Sequence, residues 1–176
     1  MPEKNVKVGM FGVTRYRKIN MIQKLISGGQ QGSDLAGLMA AKELGIPTGG
    51  WMPKDWITLD GAKPEYKDIY GMEEHTGGYS ARTEANVRDS DGTIRFAANF
   101  NSPGEKCTLK AIKWHNKPHL DVYVKDPQHV AMIYDWIKLR KIKVLNVAGN
   151  SEETSPRITK FVIAYLTKAL KEDGAQ

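Results

Sequence analysis

The chain has few of the residues that announce covalent or metal-based chemistry. Its 176 residues include one cysteine, Cys107. That count excludes an intramolecular disulfide and a cysteine-built zinc site. Cys107 also has no CxxC partner and no nucleophile signature around it, so it reads as a small buried residue. The four histidines, His75, His115, His119 and His129, share no metal-ligand spacing and read as surface or packing residues. No apolar run approaches the roughly 18 residues of a membrane span. No h-region follows Met1-Pro-Glu-Lys-Asn5, so the expectation is a cytoplasmic protein with no signal peptide and no membrane contact. Internal repeats and low-complexity tracts are absent as well.

What is present is ordinary in amount and uneven in placement. Hydrophobic residues make up 40% and charged residues 26%, as in soluble globular proteins. The length reads as residues 1–20 forming an arm or short strand and 21–176 forming one domain. Lys and Arg outnumber Asp and Glu by 26 to 20, giving a formal charge of +6. Such a balance suits nucleic acid or a small anion. No helix-turn-helix, zinc or aromatic RNA-platform pattern accompanies it, so nucleic acid rests on charge alone. The basic residues gather at Arg15–Lys18 and at Lys138–Lys143, the latter where a helix ends and cations are favoured.

The most informative stretch is Leu25-Ile-Ser-Gly-Gly-Gln-Gln-Gly-Ser-Asp34. Residues 21–26 read as a strand, and from Ser33 the spacing of Leu35, Leu38 and Met39 turns helical, ending at Gly45 before Pro47. Such a junction aims backbone N–H groups and a helix dipole at one spot, which suits a phosphate. It is equally the form of a plain βα turn that needs glycine. Residues 5–13 read as a short strand or ordered arm. Residues 46–51 read as a second strand, a parallel neighbour of the first, and 52–78 as a weakly patterned, mostly solvated stretch able to cover a site. Further along, the pattern predicts a helix over 79–89, a strand over 93–97, a helix over 105–115 and a strand over 120–124. Asp126-Pro127 and Ser155-Pro156 each read as a helix start, with a strand over 143–147 between them. The alternation predicts an α/β fold with a mainly parallel sheet covered on both faces. The polar loops 27–34, 49–53, 98–104 and 146–155 should then gather beyond the carboxyl ends of the strands.

Four ordered stretches resemble one family: Ile26–Asp34, Leu44–Trp51, Ala81–Asp91 and Val144–Gly149. They are similar to the putative molybdenum carrier family, the circularly permuted YpsA-like branch of the SLOG superfamily. The resemblance implies a Rossmann-like three-layer αβα sandwich, a homo-oligomer, and binding of a nucleotide-related phosphorylated small molecule. Molybdenum cofactor, a phosphorylated pterin, is one cargo it implies. By position, Ser27, Gly28, Gly29, Gln30, Gly32 and Asp34 match the family's first phosphate loop. Thr48, Gly49, Gly50 and Trp51 match the second motif, and Arg82, Thr83, Asn86, Asp89, Ser90 and Asp91 the third. Where the family has a Gly-Gly-Thr-type turn, this chain has Asn101-Ser-Pro-Gly-Glu-Lys-Cys-Thr108. Only Gly104 and Thr108 remain recognisable, and Glu105 adds negative charge. Gly149 completes the candidate ligand set.

Each candidate also has a plain structural role. Asp34 in a first helical turn stabilises a helix or binds a ribose hydroxyl, base edge or metal. Arg82 and Asn86, four apart, face the same way; Arg82 holds phosphate or pairs with an acid such as Glu74. The acids around Ser90 hold Mg2+ or close a turn, and Trp51 stacks on a flat ring or is simply buried. The favoured reading is a binding or carrier protein. The alternative is a hydrolase cleaving the base–ribose bond of a nucleotide, with Glu84, Asp34, Asp89, Asp91 or Glu105 as the acids. Related SLOG enzymes carry Pro-Gly-Gly-x-Gly-Thr-x-x-Glu for that reaction, and this chain lacks it.

Overall fold

The computed structural model describes residues 22–171. The expected arm over 1–20 and the Arg15–Lys18 cluster lie outside them. The central sheet takes β1 (Lys24–Ser27), β2 (Thr48–Gly49), β7 (Gly92–Ala97), β8 (His119–Tyr123) and β9 (Val144–Gly149). Small ladders use β3 (Trp51–Met52), β4 (Ile57–Thr58), β5 (Gly61–Ala62) and β6 (Glu73–Glu74). The order across the central sheet is β2-β1-β9-β7-β8, and every pairing is parallel. The chain therefore has a Rossmann-like sandwich fold, as the strand–helix alternation predicts.

Helices α1 (Ser33–Glu43), α5 (Ala131–Arg140) and α6 (Ile158–Leu170) pack together around the larger apolar cluster. Helices α3 (Tyr79–Arg88) and α4 (Pro103–Trp114) pack on each other around a small one of Val87, Ala111 and Ile112. Side-chain alternation explains the asymmetry. On β7, Ile94 and Phe96 join the large cluster, while Thr93 and Arg95 turn the other way. On β9, Leu145 and Val147 do the same, leaving Asn146 and Ala148 opposite. One face of the sheet is thus dry, and the other is partly polar. A fully buried Leu, Ile or Phe contributes about 1.5–3 kcal/mol, so the dry face supplies most of the fold's stability.

Three connections differ from the sequence expectation. The second strand stops at Gly49, because Gly50 at φ 123 turns the chain out of the sheet. Trp51 and Met52 then pair with β6 instead, which is how part of 52–78 becomes ordered. In the same mostly solvated segment Tyr66 is buried in α2 (Tyr66–Tyr70) against the core. Asp126-Pro127 does not open α5. The Asp126 N–H closes a turn on Tyr123, and the helix begins at Ala131, whose N–H is accepted by His129 Nδ1. Ser155-Pro156 does not open α6 either. Glu152 does, its carboxylate accepting N–H groups from Arg157 and Thr159 and the Thr159 hydroxyl. By contrast α4 starts two residues earlier than expected. Ser102 caps it, accepting from the Glu105 N–H at 3.4 Å, with Pro103 in the first helical position. The basic residues after Lys138 do close a helix, with Lys138 and Arg140 in the last turn of α5.

The strand ends leave almost no room. Gly149 has φ 145, and a Cβ there would sit 1.9 Å from the Phe96 carbonyl oxygen. Gly149→Ala combines backbone strain with a clash against a fixed strand. It should lose about 3 kcal/mol or more in urea denaturation, whereas an unchanged midpoint would show that the edge yields freely.

Candidate functional site

At the carboxyl edge of the sheet the chain leaves β1 toward β2 and leaves β7 in the opposite direction toward β8. Crevices open where the winding reverses in this way. Here the crevice is a cavity of about 470 Å3, a size that suits a small molecule. Its walls come from the loop after β1, the first turns of α3 and α4, the end of β9 and the loop after it.

The structure brings Gly28, Gln30, Asp34, Arg82, Asn86, Gly104, Thr108 and Gly149 to this cavity. The other candidates, Ser27, Gly29, Gly32, Gly49, Gly50, Trp51, Asp89 and Ser90, stand behind or away from its lining. Several are occupied with holding the chain. A Cβ on Gly50 would meet the Ser27 carbonyl oxygen at 2.2 Å, and one on Gly32 the Asn150 oxygen at 2.5 Å. Asn86 clamps Trp51, accepting its N–H at 2.8 Å and donating to its carbonyl at 3.1 Å. The Trp51 indole donates to Asp89 at 2.7 Å, and the hydrogen bond from Arg88 holds the Asp89 carboxyl below its ordinary range. Ser90 donates to the Val87 carbonyl, and Asp91 accepts the Lys143 and Val144 N–H groups that open β9. Glu84 pairs with His115 at 2.6 Å and does not line the cavity.

The glycine loop is arranged around a carboxylate of its own. Arg82 Nη1 lies 3.4 Å from Asp34 Oδ2, with both side chains about nine-tenths buried. The guanidinium occupies the space a Cβ on Gly28 would need, 1.8 Å from Nη1. The partner of Arg82 is therefore Asp34, not Glu74. Asp34 also accepts the Gln30 N–H at 3.4 Å. Ser27 Oγ accepts the Gly29 N–H, and the Ser33 and Leu35 N–H groups close on Asn150 and Gln30. Burial still pushes the Asp34 carboxyl above the usual carboxylate range, against the pull of Arg82.

The opposite wall holds a second buried network. Arg95, 2% exposed, donates to Asp121 through Nε at 2.8 Å and Nη2 at 2.6 Å, and to the Glu105 carbonyl at 3.1 Å. Its guanidinium lies over the Phe100 ring at 4.9 Å. The Glu105 carboxylate faces Arg95 at 3.5 Å, and its Oε2 has no hydrogen-bond partner among the described residues. Burial raises this carboxyl to about 7, with Arg95 pulling down and Asp34 and Asp121 pushing up. Asn146 donates to Thr93 Oγ1 at 3.1 Å and leaves its Oδ1 unpaired. Cys107 is half-buried on the wall of the cavity, its thiol 3.7 Å from the Ser80 hydroxyl at the start of α3.

Helix ends supply the donors. The first α3 amide to close inside the helix is that of Arg82, on the Gly78 carbonyl. The Tyr79, Ser80 and Ala81 amides are thus left for a ligand or water. In α4 the Gly104 amide is left in the same way, and nothing lies within 4 Å of a Cβ built on Gly104. Sequence reasoning missed the Arg95 and Asn146 wall. Its signal was there: Arg in Thr93-Ile-Arg-Phe-Ala97 and Asn in Val144-Leu-Asn-Val147 are polar residues inside apolar strands.

A model of the circularly permutated YpsA SLOG family matches residues 25–170. The putative molybdenum carrier protein of Syntrophus aciditrophicus SB, a solved structure, is 34% identical with a TM-score of 0.80. That match covers 86% of this chain and 96% of the other. No protein of curated function matches. The chain belongs to the circularly permuted YpsA SLOG family.

The raised carboxyl of Glu105 makes stability depend on pH with a fixed sign. The unfolded chain releases that proton near 4.5 and the folded protein near 7, so the folded state holds more protons in between. Stability should fall as pH rises through this window, by about 3 kcal/mol at full effect, and level off above it. Asp34 acts in the same sense in wild type and variant alike. Urea midpoints at pH 5 and pH 8 should therefore converge in Glu105→Gln relative to wild type, and equal pH slopes in the two proteins would refute the assignment.

Proposed function

We propose that this protein binds a nucleotide-related phosphorylated small molecule in the cavity at the carboxyl edge of its sheet, and acts as a carrier or sequestering protein. The observation that carries the reading is the convergence of two helix N-termini, α3 and α4, on one cavity that also contains Arg82. Unpaired amides at the positive end of a helix dipole stabilise a phosphate. The phosphate belongs at the Ser80 and Gly104 side, because the amides of the glycine loop are largely committed to Asp34 and to the loop itself. Glu105 lies in the first turn of α4 next to Gly104, but its carboxylate faces Arg95, which balances its charge beside the anion. The description of the Syntrophus protein as a molybdenum carrier supports molybdenum cofactor as one cargo, and Mg2+ bound to the phosphate would be compatible with it. A cytoplasmic, homo-oligomeric protein is the setting this reading implies.

One observation favours a second reading, hydrolysis of a base–ribose bond. Asp34 and Glu105 are two buried carboxyls on one cavity, both raised above the ordinary range, as general acids are. Release of free base from a nucleoside monophosphate, lost in Glu105→Gln, would favour this reading over the carrier.

The carrier reading is tested by thermal shift with nucleoside monophosphates and phosphorylated pterins. Gly104→Asp places a carboxylate at the open end of α4 without steric cost. It should keep the wild-type melting temperature and weaken phosphate-containing ligands by roughly 10-fold or more, the worth of a charge-assisted bond. If no phosphorylated ligand stabilises the wild type, or if Gly104→Asp binds as the wild type does, the reading fails.

A further inference from the structure

We propose that the wall formed by Glu105 and Asn146 reads the donor edge of a 2-amino-4-oxopyrimidine ring, the edge that guanine and pterins share. This rests on the ligand-binding reading above and names the ring its occupant carries.

Two buried side chains on this cavity keep an oxygen with no hydrogen-bond partner among the described residues, Glu105 Oε2 and Asn146 Oδ1. Both residues are 2% exposed. A buried acceptor left unpaired costs about 1–3 kcal/mol, and more when charged, so a pair of them on one wall calls for a donor from outside. Arg95 spends three of its five N–H donors on Asp121 and the Glu105 carbonyl, and its Nη1 stands 3.5 Å from Oε2, an ion-pair contact that makes no hydrogen bond to that oxygen. Asn146 donates from its amide nitrogen to Thr93 Oγ1 and accepts no hydrogen bond at Oδ1 among the described residues.

The sheet places the two acceptors on one face. Asn146 pairs in register with Thr93, and Arg95, which anchors Glu105, pairs with Ala148 two residues along. Ala148, two residues from Asn146 on the same face of β9, also lines the cavity and adds only a methyl group to that wall. The 2-amino-4-oxopyrimidine edge offers a ring N–H beside an exocyclic amine, which a carboxylate can accept together, with a further N–H for Asn146. Above pH 7, where the Glu105 carboxyl is ionised, adenine presents an acceptor at the corresponding ring nitrogen, which would face the Glu105 oxygen without a proton between them. Hypoxanthine keeps the ring N–H and lacks the amine. The phosphate of the same ligand would lie at the Ser80 and Gly104 amides.

The test is isothermal titration, at pH 8, of the wild-type full chain with GMP, IMP, AMP, 7,8-dihydroneopterin monophosphate and inorganic phosphate. GMP or the pterin phosphate should bind roughly 10- to 100-fold more tightly than AMP, with IMP between them. Whichever of the two is tighter identifies the source of the ring. AMP binding as well as GMP and the pterin overturns the inference and leaves the carrier reading intact. Failure of every phosphorylated ligand overturns both. Glu105→Gln, with its fold checked by circular dichroism, should bring GMP and pterin affinity down to that of AMP; a retained preference also overturns the inference. The comparison among ligands needs no variant, so it stands even where Glu105→Gln fails to fold.

Discussion

The fold's functional edge depends on one buried ion pair, Arg82 with Asp34. A carboxylate this deep is tolerable only with a cation and hydrogen bonds around it, and removing one partner of such a pair costs about 3–5 kcal/mol. The consequences run outward. The guanidinium must lie across the loop after β1, so Gly28 can carry no side chain. The α3 helix must bring its first turns to that loop, because Arg82 stands on it. One turn later Asn86 clamps the backbone of Trp51 and fixes where the chain leaves β2. The backbone N–H groups of the glycine loop close largely on Asp34 and on the loop itself, whereas the first amides of α3 and α4 make no hydrogen bond among the described residues.

The two faces of the sheet divide the work. Ile94, Phe96, Leu145 and Val147 point into the large apolar cluster with α1, α5 and α6. Their alternate neighbours, Thr93, Arg95, Asn146 and Ala148, point to the side of α3 and α4, where the apolar cluster is only Val87, Ala111 and Ile112. A sheet needs one well-packed face for stability, which frees the other to carry polar groups. The cost of burying Arg95 is offset by five interactions that together surround it: two bonds to Asp121, one to the Glu105 carbonyl, the Glu105 carboxylate and the Phe100 ring.

Much of this was legible from residues alone, where the signal was local and periodic. Strand–helix alternation pointed to the parallel sandwich, and in α6 the buried residues Ile158, Val162, Tyr165, Leu166, Ala169 and Leu170 do fall at helical spacing. The polar loops after β1, β7 and β9 do meet on one edge. What escaped depended on partners distant in sequence. Glu152, not Ser155, caps α6, because its carboxylate reaches forward over five and seven residues. Asp126-Pro127 has the form of a helix start, yet the Gln128 amide donates to the Asp121 carbonyl and the Tyr165 hydroxyl to the Gln128 carbonyl, holding the segment extended. The split of residues 48–52 between two sheets is set by Gly50 against Ser27. Glycine spacing alone could not separate chain packing from anion binding, since both use the same freedom of φ.

The unpaired atoms of the cavity connect stability to binding. Glu105 Oε2, Asn146 Oδ1 and Arg82 Nε are buried with no hydrogen-bond partner among the described residues, and each takes away from a margin of only about 5–15 kcal/mol. The fold tolerates them because the opposite face is fully packed. A ligand that supplies the missing donors and an anion removes those penalties in the folded state only, and so stabilises by more than its contact area implies. On the carrier reading proposed above, such a site would favour holding a ligand over turning it over. The groups that would meet it are fixed by Arg95, Thr93 and Asp34 beforehand, and tight ground-state complementarity lowers the energy of a bound molecule rather than of any transition state.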